Sequence, residues 1–225
     1  MTAIPQMTTN APVLLEEHDR GVLRLTLNRP EARNALSAAL IGALLEALGR
    51  AAADPQARVV VIDGAGPGFC AGHDLRELRA DPRRATYERL FAQCSELMLA
   101  IVRLPKPVIA EVHGVATAAG CQLVATCDLA VAALRPTAQA IGLVNRVVPR
   151  EELRDAVDAL AREIAGKSAL TLKIGKEAFY RQAELDLAAA YRYAAEVMTT
   201  NMQARDAGEG IDAFLAKREP VWHDR

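Results

Sequence analysis

Two short stretches of the chain carry the residue types needed to gather backbone N–H groups around one developing negative charge. The first is Gly68-Phe69-Cys70-Ala71-Gly72-His73-Asp74-Leu75. The second is Lys106-Pro107-Val108-Ile109-Ala110-Glu111-Val112-His113-Gly114, continuing as Val115-Ala116-Thr117-Ala118-Ala119-Gly120-Cys121-Gln122-Leu123. Each reads as an apolar strand, a small-residue corner and the start of a helix. Gly72 permits a backbone angle that leaves the next N–H pointing outward, and Asp74 is placed to cap the turn that follows. The corner at Ala118-Ala119-Gly120 opens a helix whose first N–H groups have no partner within the helix and whose dipole favours negative charge. Taken singly, each corner is equally well explained as a tight strand-to-helix turn. As a pair meeting in space they would form an oxyanion hole. Neither carries an obvious catalytic acid.

Other candidate chemistry is weaker. Gly64-Ala65-Gly66-Pro67-Gly68 lacks the G-x-G-x-x-G spacing of a dinucleotide-phosphate loop, and Pro67 interrupts it, so it reads as a flexible loop. The four cysteines, Cys70, Cys94, Cys121 and Cys127, show no CxxC spacing, so neither a metal site nor a redox pair is expected and the thiols should be reduced. A thiol hydrolase using Cys70 or Cys121 with His73 or His113 is a further reading, set against the commoner role of buried cysteine as a small hydrophobe.

The elements that must position the corners follow from periodicity. Alternation predicts strands at 13–17 and 22–27, with Asp19-Arg20-Gly21 as the turn. Ser37 caps a helix reaching about Ala53, whose apolar face is Leu40, Ile41, Leu44, Leu45 and Leu48. The β-branched run 58–62 and the segment 108–112 read as buried parallel strands, joined by a helix over 86–103. A short helix over 118–126 and strands at 129–132 and 143–148 follow. Strand–helix alternation argues for an α/β fold with right-handed crossovers. From Arg150 onward the pattern is purely helical, with candidates at 151–165, 169–182, 185–205 and 208–217. The expected division is a lead-in at 1–12, an α/β core at 13–149 and a helical region at 150–225. One place fails the count. Parallel neighbours need a crossover of about a dozen residues or more. The stretch between Ala132 and Leu143 is too short for that and contains Pro136, so these two strands are not parallel neighbours or the core is short after Ala132.

Bulk properties narrow the partners. With 225 residues and 51% hydrophobic content the chain can bury a full core, but aromatics are only 4%, so Ala, Leu and Val must fill it. A net charge of −1 gives no reason to expect nucleic acid or an anionic membrane surface. Residues 1–12 lack an apolar signal-type core and no run approaches the length of a membrane span, which makes the cytoplasm the default expectation.

The paired corners, with their surroundings, resemble the crotonase superfamily of enoyl-CoA hydratase/isomerase proteins. The similar segments are NRPEARNAL (28–36), GFCAGHDLREL (68–78), KPVIAEVHGVATAAGCQLVATCDLAVA (106–132), IGLVNRVVP (141–149) and EGIDAFLAKREPVW (209–222), nearly the whole chain. The resemblance implies a ββα spiral core with a helical C-terminal region, and binding of acyl-CoA thioesters, with coenzyme A as part of the substrate and no permanently bound cofactor. It implies that the backbone N–H groups of His73 and Ala119 hold the thioester carbonyl as an enolate-like oxygen develops. It also implies that Ala71, Asp74, Leu75 and Arg76 line the substrate near the thioester, and that Arg29, Arg33 and Ala35 run along CoA. Lys173 and Lys176 are offered as partners for CoA phosphates, within the chain or across a subunit boundary. A homo-oligomer, a trimer or a dimer of trimers, with the C-terminal helices in its interface, belongs to the same expectation.

The departures bear on the reaction. Family hydratases use two glutamates to handle the added water. The first lies three residues after the second N–H donor, where this chain has Gln122. A neutral amide orients water but cannot accept its proton. The second lies in the stretch after the CDLAVA strand, where this chain is shorter than the family. Glu77, Glu111 and His113 are the nearby acid–base alternatives. General acid–base groups contribute roughly 10²–10⁴-fold each, so loss of both glutamates leaves a slow or inactive hydratase. The competing readings are a crotonase-type lyase or isomerase, a relative acting on another acyl-CoA, and a non-catalytic acyl-CoA-binding protein.

Overall fold

The computed structural model describes residues 11–133 and 136–224; most of the expected lead-in lies outside them. Six strands form one sheet in the order β1-β2-β3-β5-β7-β8: β1 (Leu14–Asp19), β2 (Val22–Leu27), β3 (Val59–Gly64), β5 (Val108–Val112), β7 (Leu129–Ala133) and β8 (Arg146–Val148). Only β1 is antiparallel, paired to β2 through the Arg20-Gly21 turn, whose two residues both have positive φ. Two short strands, β4 (Gly68–Cys70) and β6 (Val115–Ala116), make a separate parallel pair that the sequence reading did not contain.

The sheet is covered on both faces. On one lie α1 (Ala38–Ala53), α3 (Arg84–Arg103) and α4 (Ala119–Thr126), packed on Leu23, Leu25, Val60, Ile62, Val108 and Ala110. Ser37 caps α1 as expected, its Oγ accepting the Leu40 N–H at 3.2 Å. On the other face α6 (Leu153–Ala165) lays Leu153, Val157 and Ala161 on Val59, Val61, Ile109 and Val131. Near-continuous apolar strands are what a parallel sheet buried on both sides requires. Two shorter helices complete the core: α2 (Leu75–Ala80), which follows the first corner, and α5 (Pro136–Ala140).

The crossover count is resolved by α5. β7 and β8 are parallel neighbours after all, with Val131 opposite Arg146, and the connection between them is folded around this five-residue helix. It fits because the final strand starts at Arg146 rather than 143, which lengthens the link. The C-terminal layer is α7 (Ala169–Gln182), α8 (Leu187–Met202) and α9 (Arg205–Leu215). Polar ties hold it to the body, Lys176 to Asp128 (2.7 Å) and the Trp222 indole to the Gly166 carbonyl (2.8 Å), while Ser168 at the start of α7 donates to Asp206 of α9 (2.6 Å) within the layer.

Candidate active site

Because β3 and β5 are parallel neighbours, the segments leaving their C-terminal ends run side by side. They pair as β4 and β6, Gly68 opposite Val115 and Cys70 opposite Ala116, and the Thr117 N–H donates to the Cys70 carbonyl at 3.1 Å. This lays one corner against the other. Gly72 has φ +90°, and a Cβ there would come 3.0 Å from the Ala118 Cβ, 3.1 Å from the Thr117 oxygen and 3.3 Å from the Ala119 nitrogen. Gly120 is tighter still: a Cβ would overlap the Cys70 carbonyl, 2.8 Å from its carbon. Ala118 sits at φ 48°, ψ −126°, a sparsely populated conformation for a residue with a Cβ, and it starts α4 at the angle the contact needs.

Among the backbone donors at the contact that find no acceptor in the described residues are those of His73 and Ala119. The Leu36 N–H donates to the Gly72 carbonyl (2.7 Å) and the Asp74 N–H to the Leu36 carbonyl (3.1 Å). His73, between them, donates its N–H to no group among the described residues. The Ala119 N–H, first in α4, is likewise without a protein acceptor among them, whereas Gly120 and Gln122 donate back to Thr117 (2.8 Å) and Ala118 (3.0 Å). Backbone donors at such a contact are normally paired, so the His73 and Ala119 N–H groups are the candidates to share one oxygen acceptor.

The first corner is braced by the turn at residues 28–36. Asn34, fully buried with φ 55°, accepts the Arg29 N–H (2.9 Å) and donates its amide to the Ala65 and Gly68 carbonyls (both 2.9 Å). It was missed in the sequence; the available signal was an asparagine in a turn, the residue that best tolerates left-handed backbone. Arg29 donates to the Ala35 carbonyl (2.6 Å) and to Asp74 (2.8 Å), and Asp74 in turn accepts the Arg76 (3.0 Å) and Glu77 (3.4 Å) N–H groups at the start of α2. Burial pushes the Asp74 carboxyl up, but Arg29 and those two N–H groups outweigh it and hold the pKa below the ordinary carboxylate value. Arg29 and Asp74 therefore position the corner and spend their charges on each other, where the resemblance had Asp74 lining the substrate near the thioester and Arg29 running along CoA. Arg33 is exposed and its carbonyl accepts the Ala71 N–H (3.0 Å). Ala35 is buried, Ala71 is half-buried, and Leu75 and Arg76 are exposed beside the corner.

No free carboxylate joins them among the proposed acids. Gln122 is exposed on α4, with no hydrogen bond from its amide to the described residues. Glu77 accepts the Ala38 N–H (2.9 Å), capping α1. Glu111 points to the α6 face, where the Arg24 guanidinium bridges it (2.6 Å) to Asp63 (2.8 Å) and Asp158 (2.6 Å); burial there pushes the Glu111 pKa up against the pull of Arg24. The His113 ring nitrogen lies 3.0 Å from the Gly66 carbonyl. The His73 imidazole packs edge-on to Phe91 (5.1 Å between centroids), and burial lowers its pKa more than Glu77 raises it. Cys70 is fully enclosed, and burial drives its thiol up to about 11, which removes it as a nucleophile at neutral pH.

The two lysines lie elsewhere. Lys176 is half-buried with its side chain only 7% exposed, and its ammonium donates to Asp128 (2.7 Å), the Lys106 carbonyl (2.9 Å) and the Ile101 carbonyl (3.0 Å). All three donors are used, so the expectation that it binds a CoA phosphate is corrected. Lys173 is exposed, beside Pro105 and Lys106 at the N-terminal ends of the strands, opposite the corners. Within one chain neither reaches the site.

The sequence model of the enoyl-CoA hydratase/isomerase family matches residues 17–137 and 135–225. The chain belongs to that family. The crotonase-type fold is borne out by structure as well: a solved enoyl-CoA hydratase of Mycobacterium smegmatis is 46% identical, with a TM-score of 0.90 over 95% of this chain and all of that one. The solved human enoyl-CoA hydratase domain-containing protein 3 is 34% identical, with a TM-score of 0.87 over 93% of this chain and all of that one. The Xenopus laevis protein of the same description is 35% identical over 255 residues, covering 95% of this chain and 87% of its own. That relative is named as mitochondrial, as are its counterparts from zebrafish and human, which overturns the cytoplasmic expectation. Composition could not have shown this, because an organelle address is read by a receptor and leaves no mark on the folded core. The alignment with the Xenopus protein runs over 255 positions against a chain of 225, so at least 30 of them have no residue here. The family match breaks at 135–137, beside α5.

Proposed function

We propose that this chain binds acyl-CoA thioesters, polarises the thioester carbonyl with the His73 and Ala119 N–H groups, and adds water to a 2-enoyl-CoA slowly or not at all. The observation that carries this reading is the abutment of Gly72 on Ala118 and Ala119, which leaves those two donors free at one point. Preorganised donors stabilise an enolate oxygen more than a neutral carbonyl, because no reorganisation is needed as charge develops. Ala71 and the exposed Leu75 and Arg76 flank the approach. Arg33 is the exposed cation of the 28–36 segment available to CoA, and Lys173 serves only from a neighbouring subunit. Gln122 orients a water without deprotonating it, and the resemblance implies that the family's second acid falls in the stretch where this chain is short. A homo-oligomer built through α7–α9 is part of the same proposal.

Calorimetric titration with butyryl-CoA, beside a spectrophotometric assay of crotonyl-CoA hydration, tests it. The expected result is ester binding tighter than that of free CoA, with hydration far below that of a two-glutamate hydratase. Gln122→Glu should raise hydration about 10²-fold by restoring one proton acceptor. Full hydratase turnover by the unaltered protein overturns the slow-hydration part; absence of ester binding overturns the whole reading.

A further inference from the structure

We infer that Arg24 is a positioning residue for the His73–Ala119 donor site: its guanidinium holds together the strand ends from which both corners leave. The inference rests on the thioester-binding reading above. The two-residue period of a strand sets Val22 and Arg24, Val59, Val61 and Asp63, and Ile109 and Glu111 on the face under α6. Ile62 is opposite Ala110, so the next step in the same register sets Asp63 beside Glu111. Both are buried, and like charges facing each other on neighbouring strands are destabilising. Arg24, itself buried, answers both. Its Nη1 donates to Asp63 (2.8 Å) and to Glu111 (2.6 Å), and its Nη2 to Asp158 of α6 (2.6 Å). Arg154 of α6, half exposed, adds a longer contact to Asp63 at 3.3 Å. The Asp63 Oδ1 oxygen is buried with no hydrogen-bond partner among the described residues. Three carboxylates from three elements thus depend on one buried guanidinium. Removing one partner from such a set leaves uncompensated buried charge, which is far costlier than replacing the set together. Loss of Arg24 therefore drives the two strand ends apart.

Those ends begin a run of contacts that finishes at the donors. After Asp63 and Glu111, the His113 ring nitrogen lies 3.0 Å from the Gly66 carbonyl. Gly114 then lies against Pro67 and Gly68, so close that a Cβ would fall 2.6 Å from the Pro67 oxygen and 3.0 Å from the Gly68 Cα. Next, Gly68 pairs with Val115 and Cys70 with Ala116 in the β4–β6 ladder. Last, Gly72 abuts Ala118 and the Ala119 nitrogen. Every one of these contacts joins the chain at 63–72 to the chain at 111–119, in parallel order. Close-packed parts transmit a displacement rather than absorb it. Separation at the first link is therefore passed to the last, where two N–H groups must converge on one oxygen. A misplacement of about 1 Å at such a point can cost about 10²-fold. Arg24 acts from the α6 face of the sheet, whereas α4, which carries the second donor, packs on the other.

The test compares calorimetric binding of butyryl-CoA with that of S-butyl-CoA, the thioether that lacks the carbonyl oxygen, to the full chain. Infrared difference spectra of the isotope-labelled thioester carbonyl, free and bound, report the hydrogen bonds it accepts. Arg24→Met should lower the preference for the ester over the thioether about tenfold, the worth of a hydrogen bond to the carbonyl, and should diminish the shift of the carbonyl stretch. Arg24→Met combined with Glu111→Gln removes the facing charges together, leaves Asp63 to Arg154, and should recover much of the loss. Arg24→Lys keeps a charge but not the planar fork that reaches both strands and α6. It remains informative if Arg24→Met does not fold, and should lose at least about threefold of the preference. Leu48→Ala, in the core near the end of α1 away from the first corner, supplies a destabilised control in which the preference should stay unchanged. An undiminished preference in the folded Arg24 variants, no recovery in the combined variant, or an equal fall in Leu48→Ala overturns the positioning role and leaves thioester binding intact. No preference for the ester in the unaltered protein overturns the carbonyl-binding reading on which it rests.

Discussion

At the residue scale, the site depends on what two glycines lack. Gly120 leaves room for the Cys70 carbonyl, and Gly72 combines a positive φ with contacts of 3.0–3.3 Å to the second corner. A methyl group at Gly72 must strain the backbone, which costs about 1–3 kcal/mol, and must also push Ala118 and Ala119 away. Gly72→Ala is therefore expected to lower stability by about that amount in urea denaturation, and to weaken butyryl-CoA binding by more than tenfold. If binding persists unchanged in a variant destabilised this way, the two N–H groups are not the carbonyl-binding pair. The roles of Arg29 and Asp74 also changed at this scale. The resemblance put Asp74 beside the thioester and Arg29 along CoA, and their hydrogen bonds have each neutralising the other while fixing the corner's backbone.

At the scale of elements, the first corner is as stable as its cap. Asp74 holds the start of α2 and the Arg29 guanidinium together, and its pKa lies below the ordinary value. A carboxyl with a depressed folded-state pKa contributes stability that is present above the unfolded pKa, near 3.9, and is lost as the pH falls through the folded value. Asp74→Ala should cost about 1–2 kcal/mol near pH 7, in line with loss of a helix cap and a partly buried partner. The difference from the unaltered protein should shrink steadily as the pH is lowered through the acid range below about 4, followed by urea midpoints. A difference constant with pH would mean that the cap's hydrogen bonds, rather than its charge, carry the effect. The small pair β4–β6 belongs to this scale too. Strands of three and two residues have no periodicity to read, and only the parallel order of β3 and β5 brings them side by side.

At the scale of the whole molecule, the C-terminal layer is unfinished in a single chain. α7 and α8 contain no buried residue, and Leu187, Tyr191, Met198 and Phe214 are each more than half exposed. Large apolar side chains left exposed together are a mark of interaction surfaces, and we propose that copies of this chain meet there. Sedimentation velocity should therefore show a homo-oligomer rather than the 24.2 kDa monomer, and Leu187→Glu combined with Tyr191→Glu should shift it toward monomer. A monomeric unaltered protein would mean that the layer meets some other partner.

What was legible in the sequence was local. The apolar face of α1 and its Ser37 cap, the buried strands at Val59–Gly64 and Val108–Val112, the two corners and the neutral Gln122 all follow from periods, caps and small residues within a short window. The family's signature rests on the same segments. Tertiary structure alone decided which donors remain free and which charges are spent. Asn34 reaches 34 residues along the chain to Gly68, Lys176 reaches 70 to the Lys106 carbonyl, and Arg24 reaches 87 to Glu111. Whether a polar group serves a ligand or the fold depends on partners that distant, because burial makes every such group take whatever partner the packing brings to it.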